Sequence, residues 1–169
     1  MTTLKPKKKK KEKTTKKPSG QRMNKWLRTG LSGLAGAVAV TAVHETVRRF
    51  YPLAPRMDVL GMRAIARGLF AADQQPPAGE KLHIWALVGD IISNSLYYSL
   101  VGYGKKAWTR GPILGAVAGI GGVVLPGPMG LGEAPSNRTK QTQALTIGYY
   151  FLGGLVAAVA AKALRKVRV

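Results

Sequence analysis

Residues 27–47 read LRTGLSGLAGAVAVTAVHETV, and within them residues 29–43 contain no ionisable side chain. A helix of about 20 such residues, rising about 1.5 Å per residue, crosses the roughly 30 Å hydrocarbon core of a bilayer. A soluble bundle would need amphipathic helices with a charged face, and this stretch has none. Three further stretches are comparable: residues 82–101 (LHIWALVGDIISNSLYYSLV), 111–129 (GPILGAVAGIGGVVLPGPM) and 144–161 (ALTIGYYFLGGLVAAVAA). Lipid offers no hydrogen bonds to a bare backbone, so such segments must be helical. The expected fold is an all-α membrane protein, a bundle of four transmembrane helices. The second and third spans fit less cleanly, because one carries Asp90 and the other is glycine-rich and ends in Pro126 and Pro128.

Charge is segregated from these spans. The 169-residue chain has a formal net charge of +20, yet twelve of its 27 Lys and Arg precede Thr29. Residues 1–24, MTTLKPKKKKKEKTTKKPSGQRMN, have almost nothing apolar to bury and read as a disordered polybasic arm, with residues 25–169 as the folded domain. The apolar segment that follows is too long for a cleavable signal peptide. Cysteine is absent, which excludes disulfides and thiol chemistry.

Cation placement gives the orientation. Tail inside, the cytoplasmic segments hold nineteen Lys and Arg and the external ones eight. Six of those eight fall in residues 48–81, where Asp58, Asp73 and Glu80 balance part of the charge. Both termini are therefore expected in the cytoplasm, with Trp26, Trp85 and Trp108 as interfacial anchors. Between the first two spans, residues 57–72 suggest an external amphipathic helix lying on the membrane or capping the bundle. Asp58 is placed to cap it, Leu60, Ile65, Leu69 and Phe70 form its apolar side, and Arg63 and Arg67 share a face. Pro76 and Pro77 end it.

Small residues at helical spacing mark close packing. Gly111, Gly115 and Gly119 form one stripe, Ser32 and Gly36 a second, Gly153 and Ala157 a third. Lipid gives no hydrophobic reward for helix association, so such ridges matter. We read them as packing within the bundle in preference to a homo-oligomer interface, a contact with another membrane protein, or a gating helix.

Asp90 is the most informative single residue. A carboxyl near mid-span costs about 2.5–3.5 kcal/mol on insertion scales and should face the bundle interior. His83, Asp90, Asn94 and one of Tyr97 or Tyr98 share a helical face. Antiparallel packing places Thr41 near Asp90, and His44, Glu45 and Arg48 or Arg49 near His83. The cluster is read as a structural clamp, with a proton or solute relay as the alternative.

No histidine spacing fixes two zinc ligands on one face, and no nucleophile–base arrangement or phosphate-binding loop is present, so no catalytic, cofactor or metal residue is assigned. The arm is expected to contact anionic lipid headgroups. Nucleic acid is disfavoured as a partner, because no aromatic residue within residues 1–24 could stack on bases. The expected function is a non-enzymatic structural or accessory component of a bacterial inner membrane. The alternative is a small transporter or proton-coupled permease using Asp90 with His44, Glu45 and His83. Single cysteines at positions 20, 75, 105 and 137 test the topology: an impermeant maleimide added outside intact cells should label 75 and 137 only, and labelling at 20 or 105 would reverse or break it.

Overall fold

The computed structural model describes residues 23–167, so all of the polybasic arm except Met23 and Asn24 lies outside the described residues. Six α-helices follow in order: α1 Lys25–Val47, α2 Met57–Ala71, α3 Gly79–Ser99, α4 Ala107–Val124, the short α5 Ala134–Asn137, and α6 Lys140–Ala163, which runs into a 3-10 turn at Leu164–Lys166. No strand occurs among the described residues. The Asn24 side chain starts α1 by accepting from the Trp26 N–H at 3.1 Å, and Thr139 starts α6 by accepting from the Thr142 N–H at 3.0 Å.

Two segments, Lys25–Val47 and Lys140–Lys166, are long and apolar enough to cross a membrane. The expectation of four such spans is met in this respect by those two. Helix α3 is diluted by Asp90, Asn94 and its serines, and α4 has five glycines and an internal Pro112 in its 18 residues. Helix α4 also begins and ends earlier than residues 111–129, since Pro126 cannot extend it. The region after it folds α5 against the bundle and buries Pro135 and Ser136.

Helix α6 packs against both α1 and α4, α3 lies on α1, and α2 lies on α3. The long neighbours run antiparallel, as the pairs Gly33–Ser95 and Thr41–Asp90 between α1 and α3, and Gly111–Gly154, Gly115–Tyr150 and Gly119–Ile147 between α4 and α6, require. Apart from the rings of Tyr98 and Tyr150, the interior is made largely of small or polar side chains: Ser32, Ala37, Val40, Thr41, Thr146, Ala157, Ala158 and Ala161 are all buried. The large aliphatic side chains point the other way. On α3, Ile84, Val88, Ile92, Leu96 and Leu100 are 50–68% exposed; on α4, Ile113, Val117, Ile120 and Val124 are 50–57% exposed.

Glycine makes the interior possible. A methyl group at Gly115 would lie 2.6 Å from the Tyr150 carbonyl oxygen, and one at Gly119 would lie 2.6 Å from the Ile147 Cα. At Gly111 it would collide with the Gly154 carbonyl. The α1–α6 contact repeats the device, since a methyl at Gly36 would meet the Gly153 carbonyl oxygen at 2.7 Å. Gly33, not singled out by its sequence spacing, sits equally close to the α3 backbone at Ser95. In contrast, Gly148 faces open space. Gly115→Leu should therefore destabilise the purified protein by about 1–3 kcal/mol or more, the range for overpacking a tight site. Gly148→Ala should leave stability unchanged or raise it by up to about 1 kcal/mol, since alanine fits there and favours the helix. Thermal unfolding in a mild detergent compares the two, and equal midpoints would refute the packing assignment.

Candidate functional site

Asp90 sits near the middle of α3, turned toward α1. Thr41 Oγ1 donates to its Oδ2 at 2.8 Å, and Asn94 Nδ2 donates to its Oδ1 at 2.8 Å. Both carboxylate oxygens therefore have a neutral partner, one on a neighbouring helix and one a turn along its own. Two tyrosines continue this side of α3. Tyr97 donates to the Leu114 carbonyl at 2.8 Å, and the fully buried Tyr98 donates to the Tyr150 carbonyl at 2.7 Å. Gly153 leaves room for the Tyr98 ring. The polar stripe thus ties α3 to α1, α4 and α6 in turn.

The remaining predicted residues fall into a separate layer toward the α1–α2 connection. Arg48 holds Glu45 through Nε at 2.9 Å and Nη2 at 2.5 Å, and its Nη1 lies 3.6 Å from Asp58. Arg56 grips Asp58 in the same bidentate way, at 2.9 and 2.8 Å. His83 joins this layer through Glu45, with Nε2 at 3.8 Å from the carboxylate. By hydrogen bonds and ion pairs the anticipated cluster divides into a clamp of Thr41, Asp90 and Asn94 and an ionic layer of Glu45, Arg48, Arg56, Asp58 and His83, and the two meet at one small pocket.

His44 lies between them. It is 5% exposed, and its ring is edge-on to Tyr149 and Tyr150, with centroids 5.0 and 5.6 Å apart. Neither ring nitrogen has a hydrogen-bond partner. Thr41, His44, Glu45, Asp58 and Asp90 line a small pocket of about 10 Å³, close to the volume that one water molecule requires. Among the described residues, no three His, Asp or Glu side chains gather in a way that would hold a metal ion.

Sequence reasoning missed Arg56 and misread Asp58. Helix α2 begins at Met57 and takes no side-chain cap, so Asp58 lies inside the first turn and binds Arg56 instead. The available signal was the Arg-Met-Asp triplet, whose first and third residues face each other where the helix starts. Other cations at this end of the bundle are also engaged. Arg63 donates to the Leu131 carbonyl at 2.7 Å, Arg67 reaches the Gly130 carbonyl at 3.5 Å, and Arg138 donates to the Pro52 carbonyl. Gly130 and Gly132 take positive φ in the turn that presents the Gly130 and Leu131 carbonyls. Thr142 donates to the Leu53 carbonyl at 3.0 Å and fastens the same end of the bundle.

Comparison with protein-family models, curated proteins and solved structures finds no match to this chain.

Burial pushes the Asp58 carboxyl up, but the Arg56 hydrogen bonds and the Arg56 and Arg48 charges outweigh it and hold it below its ordinary value. A carboxyl depressed in the folded state stabilises the protein above its unfolded-state pKa, and that contribution fades as pH falls through the folded value. Asp58→Asn should cost about 1.5–3 kcal/mol near neutral pH, as for hydrogen bonds between charged groups. The gap from wild type should close as pH drops below the ordinary carboxylate range. Unfolding measured at pH 7 and at stepwise lower pH checks this, and a gap that is constant or widens on acidification would contradict it.

Proposed function

We propose that this protein is a small four-span integral membrane protein, a structural or accessory component of a bacterial inner membrane, with both termini in the cytoplasm. The observation that carries this reading is the inverted distribution of side chains. Large aliphatic residues form continuous outward stripes on α3 and α4, and Leu27, Leu31, Leu34 and Val38 form another on α1, while threonine, serine, asparagine and histidine are buried. Contiguous apolar faces of this extent are unfavourable in water and suit hydrocarbon. At about 1.5 Å per residue, α1, α3, α4 and α6 measure about 35, 32, 27 and 36 Å, against a core of about 30 Å. On this reading α3 and α4 cross as well, carried by their outward stripes in spite of Asp90 and the glycines.

The pairing of arginines supports the orientation. Arg48, Arg56, Arg63, Arg67 and Arg138 are engaged by carboxylates or carbonyls at one end. At the opposite end, Lys105, Lys106, Lys162, Arg165 and Lys166 take part in no salt bridge among the described residues. The positive-inside bias concerns cations near the cytoplasmic surface, and the second group fits that role. On this reading the polybasic arm, which precedes α1 in the sequence, would contact anionic headgroups.

Asp90 fits a clamp because both its oxygens are occupied by donors of this chain. The relay reading retains one specific observation in its favour: buried His44, with no partner on either nitrogen, faces the small pocket that Asp90 also lines. Proteoliposomes loaded with a pH-sensitive dye separate the two. Under an imposed pH gradient, wild type and Asp90→Asn should show the same low proton flux, and Asp90→Asn should keep its thermal stability within about 1 kcal/mol. A wild-type flux abolished by Asp90→Asn, with the fold intact, would overturn the clamp and establish the relay.

A further inference from the structure

The two ends of the described chain meet at one end of the bundle, where Arg28 of α1 donates to the Val167 carbonyl. Beside this contact, Arg28, Tyr103, Gly104, Lys162, Arg165 and Lys166 enclose a cavity of about 500 Å³. Four of the six are cations, and none is acidic. The described acidic residues, Glu45, Asp58, Asp73, Glu80, Asp90 and Glu133, all lie outside its lining.

Arg28 distinguishes this cavity from a patch of surface lysines. It is only 8% exposed, its Nε is buried with no hydrogen-bond partner among the described residues, and its one side-chain bond among them, from Nη2 to Val167, is long at 3.5 Å. A buried guanidinium with an unused donor is unfavourable unless an acceptor reaches it. The planar donor fork of arginine matches the oxygens of a phosphate. Lys162 is held in place from below, with its Nζ 5.3 Å from the Trp108 ring centroid. The exposed Tyr103 hydroxyl adds a neutral donor, and Gly104, at φ 102°, leaves open space at its side of the cavity.

We propose that this cavity binds a single phosphate group, held by Arg28 and neutralised by Lys162, Arg165 and Lys166. Basic pockets between helix ends at a cytoplasmic surface suit the phosphate of an anionic lipid, and a free phosphate offers the same chemistry. The lipid source rests on the four-span reading; the recognition of phosphate does not.

Binding is measured on the full chain in neutral detergent, by native mass spectrometry for phosphatidylglycerol and by calorimetry for inorganic phosphate. Salt at about 0.5 M screens non-specific attraction to the chain's many cations, leaving the enclosed site less affected. Arg28→Gln should weaken phosphatidylglycerol binding at least about tenfold, as expected for loss of a charge-assisted bidentate partner. Because Arg28 is buried, the exposed pair Arg165→Gln with Lys166→Gln provides a second variant that leaves the packing intact and should also weaken binding. One lipid bound by wild type and lost in both variants supports a lipid headgroup as the source. Saturable binding of inorganic phosphate alone, lost in the variants, supports the site with a free phosphate as its ligand. Absence of binding, or equal affinity in all three proteins, overturns the proposal. Should the chain prove soluble without detergent, the phosphate arm is run in plain buffer, so failure of the membrane reading remains distinct from failure of the site.

Discussion

Helix α6 touches α1 on one side and α4 on the other at separations only glycine permits, and the polar contacts between helices depend on that spacing. Gly36 meets Gly153, Gly111 meets Gly154, and Gly115 meets Tyr150, each with the carbonyl of one helix against the bare Cα of its partner. A bundle that turns its large aliphatic side chains outward has few bulky groups left to bury. It is held by many short-range contacts among methyl groups and backbone, individually small and collectively large. The tyrosines work within the same geometry: Tyr98 reaches the Tyr150 carbonyl because Gly153 leaves its ring a place to lie.

Around that frame the polar groups sort by their partners. In the middle of the bundle, Asp90 is satisfied by neutral donors from Thr41 and Asn94. Toward the α1–α2 connection, carboxylates meet arginines, and surplus arginines meet carbonyls. At the far end the cations face a cavity lined by none of the described acids. Three levels of the molecule thus differ in how charge is handled.

Much of this was legible in the residues. Apolar runs place α1 and α6 to within a few positions, and the four-residue spacing of Gly111, Gly115 and Gly119 marks the face that α6 covers. Antiparallel packing alone brings Thr41 to Asp90. What was not legible depends on tertiary placement. Arg56 and Asp58 pair because α2 starts where the α1 end turns back. Gly33 and Ala37 have the same four-residue spacing as Ser32 and Gly36, so spacing alone does not tell which of the two adjacent stripes meets α3 at Ser95 and Ser99. Residues 130–143 look like loop, yet they carry α5 and the carbonyls that engage Arg56, Arg63 and Arg67, and Thr142 there fastens Leu53. Short polar segments give no periodic signal, and their fit appears only once the bundle end they close exists.

The central claim is that hydrocarbon surrounds the outward stripes of α1, α3 and α4. Alkaline carbonate extraction of membranes from cells producing the full chain addresses it most directly, because carbonate strips proteins held by charge alone and leaves those embedded in lipid. The account predicts that the protein stays in the membrane pellet after carbonate and is released only by detergent. Recovery of a folded monomer in the carbonate supernatant would contradict it.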